Sequence, residues 1–391
     1  MTTRRSVLAL TTVCALLTAS VAFAGWDEGV AAFKSGNYAQ AIAEFQQFVE
    51  ERPDQQAGYQ MLGRSLLRGG KAGEAVAAFQ KAIEMKADDI GSQVLLGQAF
   101  YQSGKPRECI STLSRLNIGA LPANIQVGVY ETRGASYARL GNTGSAAADL
   151  GRVADLKPSD AAARFEYGQM LKNDAQLDPA IAAWERAVSM DGSKSEWKEA
   201  LVEALKLKGR QTSGAAKTGV YRKAEDYARS LVGSSASYDN LLLLGEVQLG
   251  GKNYDSAAST FQQAISKKRN DWHSHFYLGQ AYGSLERFND AEGPLNDALP
   301  LASGEADKKQ ILDYLGFVLS KQNKYDAAIA AYEGAGNAGG AARVRENKQI
   351  AQENREADEF NENIAELERQ REELRRQLEE VPGATNEPPR R

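Results

Sequence analysis

The sequence predicts an all-α fold: about nine stacked helix-turn-helix units, followed by a long C-terminal helix with coiled-coil character. Three observations predict it. A glycine following an apolar pair recurs at near-constant spacing, and an alanine and a large apolar residue follow it at fixed distances. Beyond about residue 337 the pattern becomes a charged heptad. Composition agrees, since ten prolines among 391 residues and 25% charged side chains favour helix over sheet. A formal net charge of −4 gives no whole-chain basicity that would point to nucleic acid.

The first 24 residues stand apart. Arg4 and Arg5 precede an uncharged run from Ser6 to Ala22, and Ala22-Phe23-Ala24 is a small-x-small cleavage signal before Gly25. This is the pattern of a secretory signal peptide, residues 1–24, rather than of a membrane anchor, because the run is short and rich in Thr and Ser. Thr3-Arg4-Arg5 loosely matches a twin-arginine signal, but no cofactor motif calls for folded export, so the general route is favoured. Taking those two arginines from the 47 basic side chains leaves 45 against 51 acidic ones, a net of −6. Cys14 follows Val13 and lacks the small neighbour of a lipidation site. Cys109 is then the only mature cysteine, so the fold holds by packing without an intramolecular disulfide.

The anchor glycines are Gly29, Gly63, Gly97, Gly134, Gly168, Gly245, Gly279 and Gly316, with Val202 in the equivalent place of a sixth unit. Twelve residues after each glycine stands a small residue: Ala41, Ala75, Cys109, Ala146, Ala180, Ala257, Ala291 and Ala328. Four further on stands a large apolar one: Phe45, Phe79, Leu113, Leu150, Trp184, Phe261, Leu295 and Tyr332. Apolar positions spaced three and four apart make each unit two amphipathic helices; Tyr59, Leu62 and Leu66 form one stripe, and Ala75, Phe79 and Ala82 another. The small anchor lets the helices approach, and the large residue fills the gap. Gly36, Gly70, Gly104, Gly141 and Asn323 supply the positive φ of the intervening turn.

The period of 34, the Ala-x-x-x-Phe pairs and the closing Pro53 and Pro158 resemble the tetratricopeptide repeat family over residues 30–335. The resemblance implies a right-handed α-solenoid over 25–337, with the first helix of each unit lining a concave, partner-binding face. On that frame the groove positions of units two to five are Arg64, Arg68, Gln98, Tyr101, Gln102, Arg139, Phe165, Gln169, Lys172 and Asn173. In units six to nine they are Glu196, Glu199, Glu203, Asp239, Glu246 and Asp313, with Phe276 and Phe317. The predicted partner site is the basic-aromatic half: Arg64, Arg68, Gln98, Tyr101, Gln102, Arg139, Phe165 and Lys172. The paired asparagines with which one branch of the family clamps C-terminal carboxylates are missing, so that activity is not implied.

The units depart from the pattern in three places. Residues 210–219 insert into the sixth unit as a surface excursion or binding loop, and 117–123 and 301–306 extend helices or widen turns. After a short hinge at "NAGGAA", residues 341–380 hold 20 charged residues of 40 and neither Pro nor Gly. Ile350, Ala357, Phe360, Ile364, Leu367, Leu374, Leu378 and Val381 follow a heptad, with Arg371 in the seam. The expectation is a helix of about 60 Å over 338–381 that caps the array, self-associates, or does both. The tail 382–391 reads as disordered.

Chemistry is thin. Gly70-Lys71, Gly104-Lys105 and Gly251-Lys252 are interhelical turns without the rest of a phosphate loop, and no G-x-S-x-G occurs. His273 and His275, two apart on a helix, point to different sides, and Cys109 takes a packing position normally held by alanine. No cofactor, metal or catalytic residue is expected, and four scattered tryptophans do not make a glycan platform. The reading is a non-enzymatic periplasmic scaffold or adaptor of a Gram-negative-type bacterium. It would bind a protein or peptide in its groove, with possible homo-oligomerisation through the C-terminal helix. The alternative is an accessory subunit of an envelope machine for secretion, pilus or outer-membrane assembly.

Overall fold

The computed structural model describes residues 25–379; the expected signal peptide and the tail lie outside the described residues. Every element among the described residues is helical, and the chain divides into two compact units, 1–204 and 205–391. The first holds α1 (25–34), α2 (Tyr38–Glu51), α3 (Gln56–Arg68), α4 (Ala72–Met85), α5 (Ile90–Gln102) and α6 (Pro106–Leu113). It continues with α7 (Ala123–Arg139), α8 (Thr143–Leu156), α9 (Ala161–Asn173) and α10 (Leu177–Met190). The division falls within α11 (Ser195–Gln211). The second unit continues with α12 (Gly214–Ser234), α13 (Tyr238–Gly250), α14 (Tyr254–Lys267), α15 (Trp272–Ser284) and α16 (Phe288–Leu301). It ends with α17 (Glu305–Lys321), α18 (Tyr325–Ala335) and α19 (Ala338–Glu379).

The anchor glycines do what their spacing predicts. A methyl group on Gly63 would lie 2.7 Å from Phe79, one on Gly97 2.5 Å from Leu113, one on Gly168 2.6 Å from Trp184 and one on Gly279 2.6 Å from Leu295. Gly29, Gly245 and Gly316 meet Phe45, Phe261 and Tyr332 in the same way. Phe45, Phe79, Leu113, Trp184, Phe261 and Leu295 are fully buried, each contributing about 1.5–3 kcal/mol through removal from water. The fourth unit differs: Gly134 faces the Cβ of Asp149 at 3.2 Å, and Asp149 accepts two hydrogen bonds from Arg133, at 2.8 and 2.7 Å. Cys109 is buried at its alanine position, and burial pushes its thiol up from the ordinary range.

The turns obey one hydrogen-bond rule. The backbone N–H after the turn residue donates to the carbonyl five residues back: Asn37 to Ala32, Lys71 to Leu66, Lys105 to Phe100, Asn142 to Tyr137 and Lys324 to Leu319. Gly36, Gly70, Gly104, Gly141 and Asn323 accordingly have positive φ, as expected. Ala175, Lys252 and Glu286 adopt the same left-handed conformation, closed by bonds from Gln176 to Leu171, Asn253 to Gln248 and Arg287 to Tyr282. Their residue types hid them from the sequence reading.

The insertion in the sixth unit is not a loop. Helices α11 and α12 absorb 210–219, leaving only Thr212 and Ser213 non-helical. The close approach moves with it: Val202 is a buried core residue, and Gly209, two turns on, carries the contact to Tyr221 at 2.6 Å. At 117–123 the extension is a short 3-10 turn, Ile118–Ala120, before α7. At 301–306 it is a wider turn between α16 and α17.

The C-terminal hinge is shorter than expected. Gly336, left-handed at φ 77°, ends α18, and Asn337 caps α19 by accepting a hydrogen bond from Gly340 N–H at 2.8 Å. Gly340 packs on Tyr332, and Ala341 and Val344 are buried in the same cluster, so the first turns of α19 cover the last repeat. From residue 352 to 377 every side chain is exposed.

Gly97→Ala forces a methyl into Leu113 and is expected to lower stability by about 1–3 kcal/mol. Gly219→Ala, inside α12 with nothing within 4 Å, should raise it by about 0.5–1 kcal/mol. Ala175→Gly relieves a left-handed alanine and should be neutral to stabilising by about 1 kcal/mol, with Gly70→Ala shifting in the opposite direction. Urea midpoints followed by circular dichroism check all four. Equal midpoints for Gly97→Ala and Gly219→Ala would contradict the packing described.

Candidate functional site

The odd-numbered helices α1, α3, α5 and α7 line a cavity of about 940 Å3 in the first unit. Five predicted site residues meet there: Arg64 and Arg68 from α3, and Gln98, Tyr101 and Gln102 from α5. They sit one, four or five positions after their anchor glycines, on the helix side away from the paired helix. Arg64 and Arg68, four apart, stack one turn above the other. Both are exposed, and neither forms a hydrogen bond or ion pair with another described residue. No carboxylate lines the cavity.

The sequence reading missed the apolar wall. Phe33, Ile90, Val94, Leu95, Leu121 and Ile125 supply it, with Ile90 45% and Ile125 37% exposed. The spacing of Ile90, Val94, Gln98 and Tyr101 along α5 carries the signal. Asp89 caps α5 by accepting from Ser92 N–H and also accepts from Gln60, tying α3 to α5. Burial alone would raise the Asp89 carboxyl, but the Ser92 and Gln60 donors outweigh it and hold it below its ordinary range.

A second cavity of about 700 Å3 lies along α7 and α9, lined by Arg139, Gln169, Met170 and Glu166 among others. Tyr101 borders both. Arg139 lies over the Tyr101 ring at 3.9 Å and donates to the Tyr101 carbonyl at 2.9 Å, so it fixes the shared wall. Such a stack contributes about 0.5–1 kcal/mol at an exposed site.

Phe165 and Lys172 are not brought into either cavity. Phe165 stacks on Trp197 at 5.0 Å and 14°, beside Trp184, whose indole N–H donates to the Phe165 carbonyl at 3.0 Å. Lys172 is exposed over the Trp184 ring at 5.9 Å, and Asn173 next to it is exposed.

The acidic positions line neither of these cavities. Phe276 is a correction: at 1% exposed it is core, packed on Trp272 and Tyr314. Phe317 packs on Phe288 and Tyr314. Glu246 pairs with Lys206, a buried lysine, and Asp313 accepts from Asn337. Glu196, Glu199, Glu203 and Asp239 are exposed.

No group of three or more His, Cys, Asp or Glu side chains capable of holding a metal occurs among the described residues. His273 is tied to Asp271 at 2.8 Å and His275 to the Arg269 carbonyl at 3.0 Å.

The sequence profile of the tetratricopeptide repeat family matches residues 27–90 and 242–306, one stretch in each compact unit. Solved structures to which the chain is similar include the C-terminal part of a TPR repeat-containing protein from Cytophaga hutchinsonii. It is 17% identical and covers 62% of this chain and 93% of its own, at a TM-score of 0.46. MamA from Desulfovibrio magneticus RS-1 is 18% identical over 45% of this chain and 96% of its own, at 0.34. YrrB, described as a TPR protein with an unusual peptide-binding site, is 15% identical over 50% and 97%, at 0.40. The curated proteins give no match.

The Lys206–Glu246 pair yields a prediction. Glu246→Ala removes a carboxylate paired with the buried Lys206 and should cost about 1–3 kcal/mol, whereas Glu199→Ala, at an exposed position, should stay within about 0.5 kcal/mol. Thermal melts of the two variants check it; equal melting temperatures would make Glu246 an ordinary surface acid.

Proposed function

Since the chain is a tetratricopeptide-repeat protein, we propose that it is a non-enzymatic scaffold whose first unit binds a protein or peptide segment. One observation carries this reading: two exposed guanidinium groups, unengaged by other described residues, stand over an apolar cavity that no described carboxylate lines. The matching segment is acidic and carries one aliphatic or aromatic anchor. The anchor enters between Ile90, Val94, Leu95 and Ile125. A carboxylate on the segment accepts forked hydrogen bonds from Arg64 or Arg68, and Tyr101 covers the flank. Gln98 and Gln102 offer amides that both donate and accept, which suits an extended backbone.

The reading extends to place and assembly. The charged start and uncharged run of residues 1–24 support export, so the scaffold would work in the periplasm, either as a general adaptor or within one envelope complex. The exposed heptad of α19 supports association between copies. No helix among the described residues is long and apolar enough to cross a membrane.

A random peptide library selected on the wild-type protein should yield segments with an acidic residue next to an apolar anchor. Arg64→Glu with Arg68→Glu should weaken a selected peptide by at least about tenfold, and binding should slow as salt rises. Glu196→Lys with Glu199→Lys should change it by less than about threefold. If the acidic-pair variant is the more damaging, the site lies elsewhere. N-terminal sequencing of envelope-fraction protein should begin at Gly25; a full-length cytoplasmic product would refute the export reading.

A further inference from the structure

Half of the exposed large apolar side chains of the described residues sit on one helix. Ile350, Phe360, Ile364, Leu367 and Leu374 of α19 are 43–64% exposed. They fall at the first and fourth positions of a heptad, with Ala357 between them, and the two remaining seam positions are Glu353 and Arg371. The stripe faces away from the repeats. Val344 is buried on the array, Arg345 pairs with Glu333, and Lys348 pairs with Asp326 at 2.5 Å. At 3.6 residues per turn, Ile350 stands about 120° and Glu353 about 180° around the helix from Val344. A second helix can therefore lie along the stripe without meeting the array.

The two charged seam residues select the occupant and its direction. In a parallel pair, Arg371 would face Arg371 and Glu353 would face Glu353 inside an apolar seam, and both contacts repel. In an antiparallel pair, first positions face fourth positions, and one register sets Glu353 opposite Arg371 of the other copy. That same register sets Ile350 opposite Leu374, Ala357 opposite Leu367, and Phe360 opposite Ile364. Every seam residue from 350 to 374 then meets a complementary one, twice over by symmetry. A slide of one heptad in either direction puts Glu353 against Leu378 or Ile364 and loses the ion pair. The flanking positions are Asn354, Glu356, Asn361, Asn363, Glu368 and Gln370, and in this register no Glu meets a Glu. Resting on the reading that α19 associates with another copy, we propose that the partner of this stripe is a second copy of the chain. The two α19 helices pair antiparallel over residues 350–374, about 36 Å, with Glu353 and Arg371 locking the register. Self-complementarity under a twofold is what an isologous interface requires.

The full chain tests this by sedimentation equilibrium, with circular dichroism at 222 nm as the folding control. Arg371→Glu and Glu353→Arg should each raise the dimer dissociation constant at least about tenfold, and the combined swap should restore it to within about threefold. In a Cys14→Ala, Cys109→Ala background, Ile350→Cys with Leu374→Cys should give a disulfide-linked dimer on mild oxidation, while Leu374→Cys alone should not. Cross-linking through Leu374→Cys alone, or single charge variants as tight as wild type, would overturn the antiparallel register while leaving self-association standing. A wild-type chain that stays monomeric across the titration would overturn both, leaving the groove reading untouched.

Discussion

Two helices can come within the distance that seals this core only where one of them has no side chain. That constraint sits at Gly63, Gly97, Gly168 and Gly279, where even a methyl group would strike the ring or isobutyl group of the residue sixteen positions later. The rest of each unit serves the contact. The left-handed turn and its five-residue hydrogen bond reverse the chain at a fixed point, so the small residue of the second helix arrives opposite the anchor and the large one slots beside it. Burial of one such residue gives about 1.5–3 kcal/mol, which is modest against the ordering of some thirty residues. Each unit therefore depends on its neighbours, as expected of a one-dimensional array.

The same close approach decides which residues stay outside. With the anchor pressed against the second helix, positions one, four and five after it turn outward, and on α3 and α5 these are Arg64, Arg68, Gln98, Tyr101 and Gln102. Position three before the anchor varies with its neighbours: Val94 lines the cavity, Phe165 stacks on Trp197, and Phe276 is core. A guanidinium pair above an apolar wall is therefore a by-product of the packing register, read out on the opposite side of the same helices.

Much of this was legible in the sequence because the contact is between fixed positions of a period. What escaped had other causes. Ala175, Lys252 and Glu286 are left-handed because the turn's hydrogen bond imposes that conformation whatever the side chain, so no glycine marks them. The contact at Gly209 escaped because about nine extra residues lengthened two helices instead of forming a loop, carrying the anchor two turns away from Val202. The apolar wall of the groove escaped because Ile90 and Ile125 look like core residues in a period count, and only the geometry leaves them at the surface. Phe165 and Lys172 shared a period position with true groove residues, but two tryptophans beside them changed what that position faces.

Cys109 gives the array a built-in clock. It is the one cysteine among the described residues, it lies fully buried at the packing position of the third unit, and burial pushes its thiol up from the ordinary range. A thiol reagent reaches it only when that unit opens, so the rate of labelling in the native protein measures the frequency of local opening rather than global unfolding. Cys109 lies in the second helix of the unit whose first helix carries Gln98, Tyr101 and Gln102, so that rate also reports on opening of a helix pair that borders the cavity. Anything held there must be released, or carried along, each time the unit breathes.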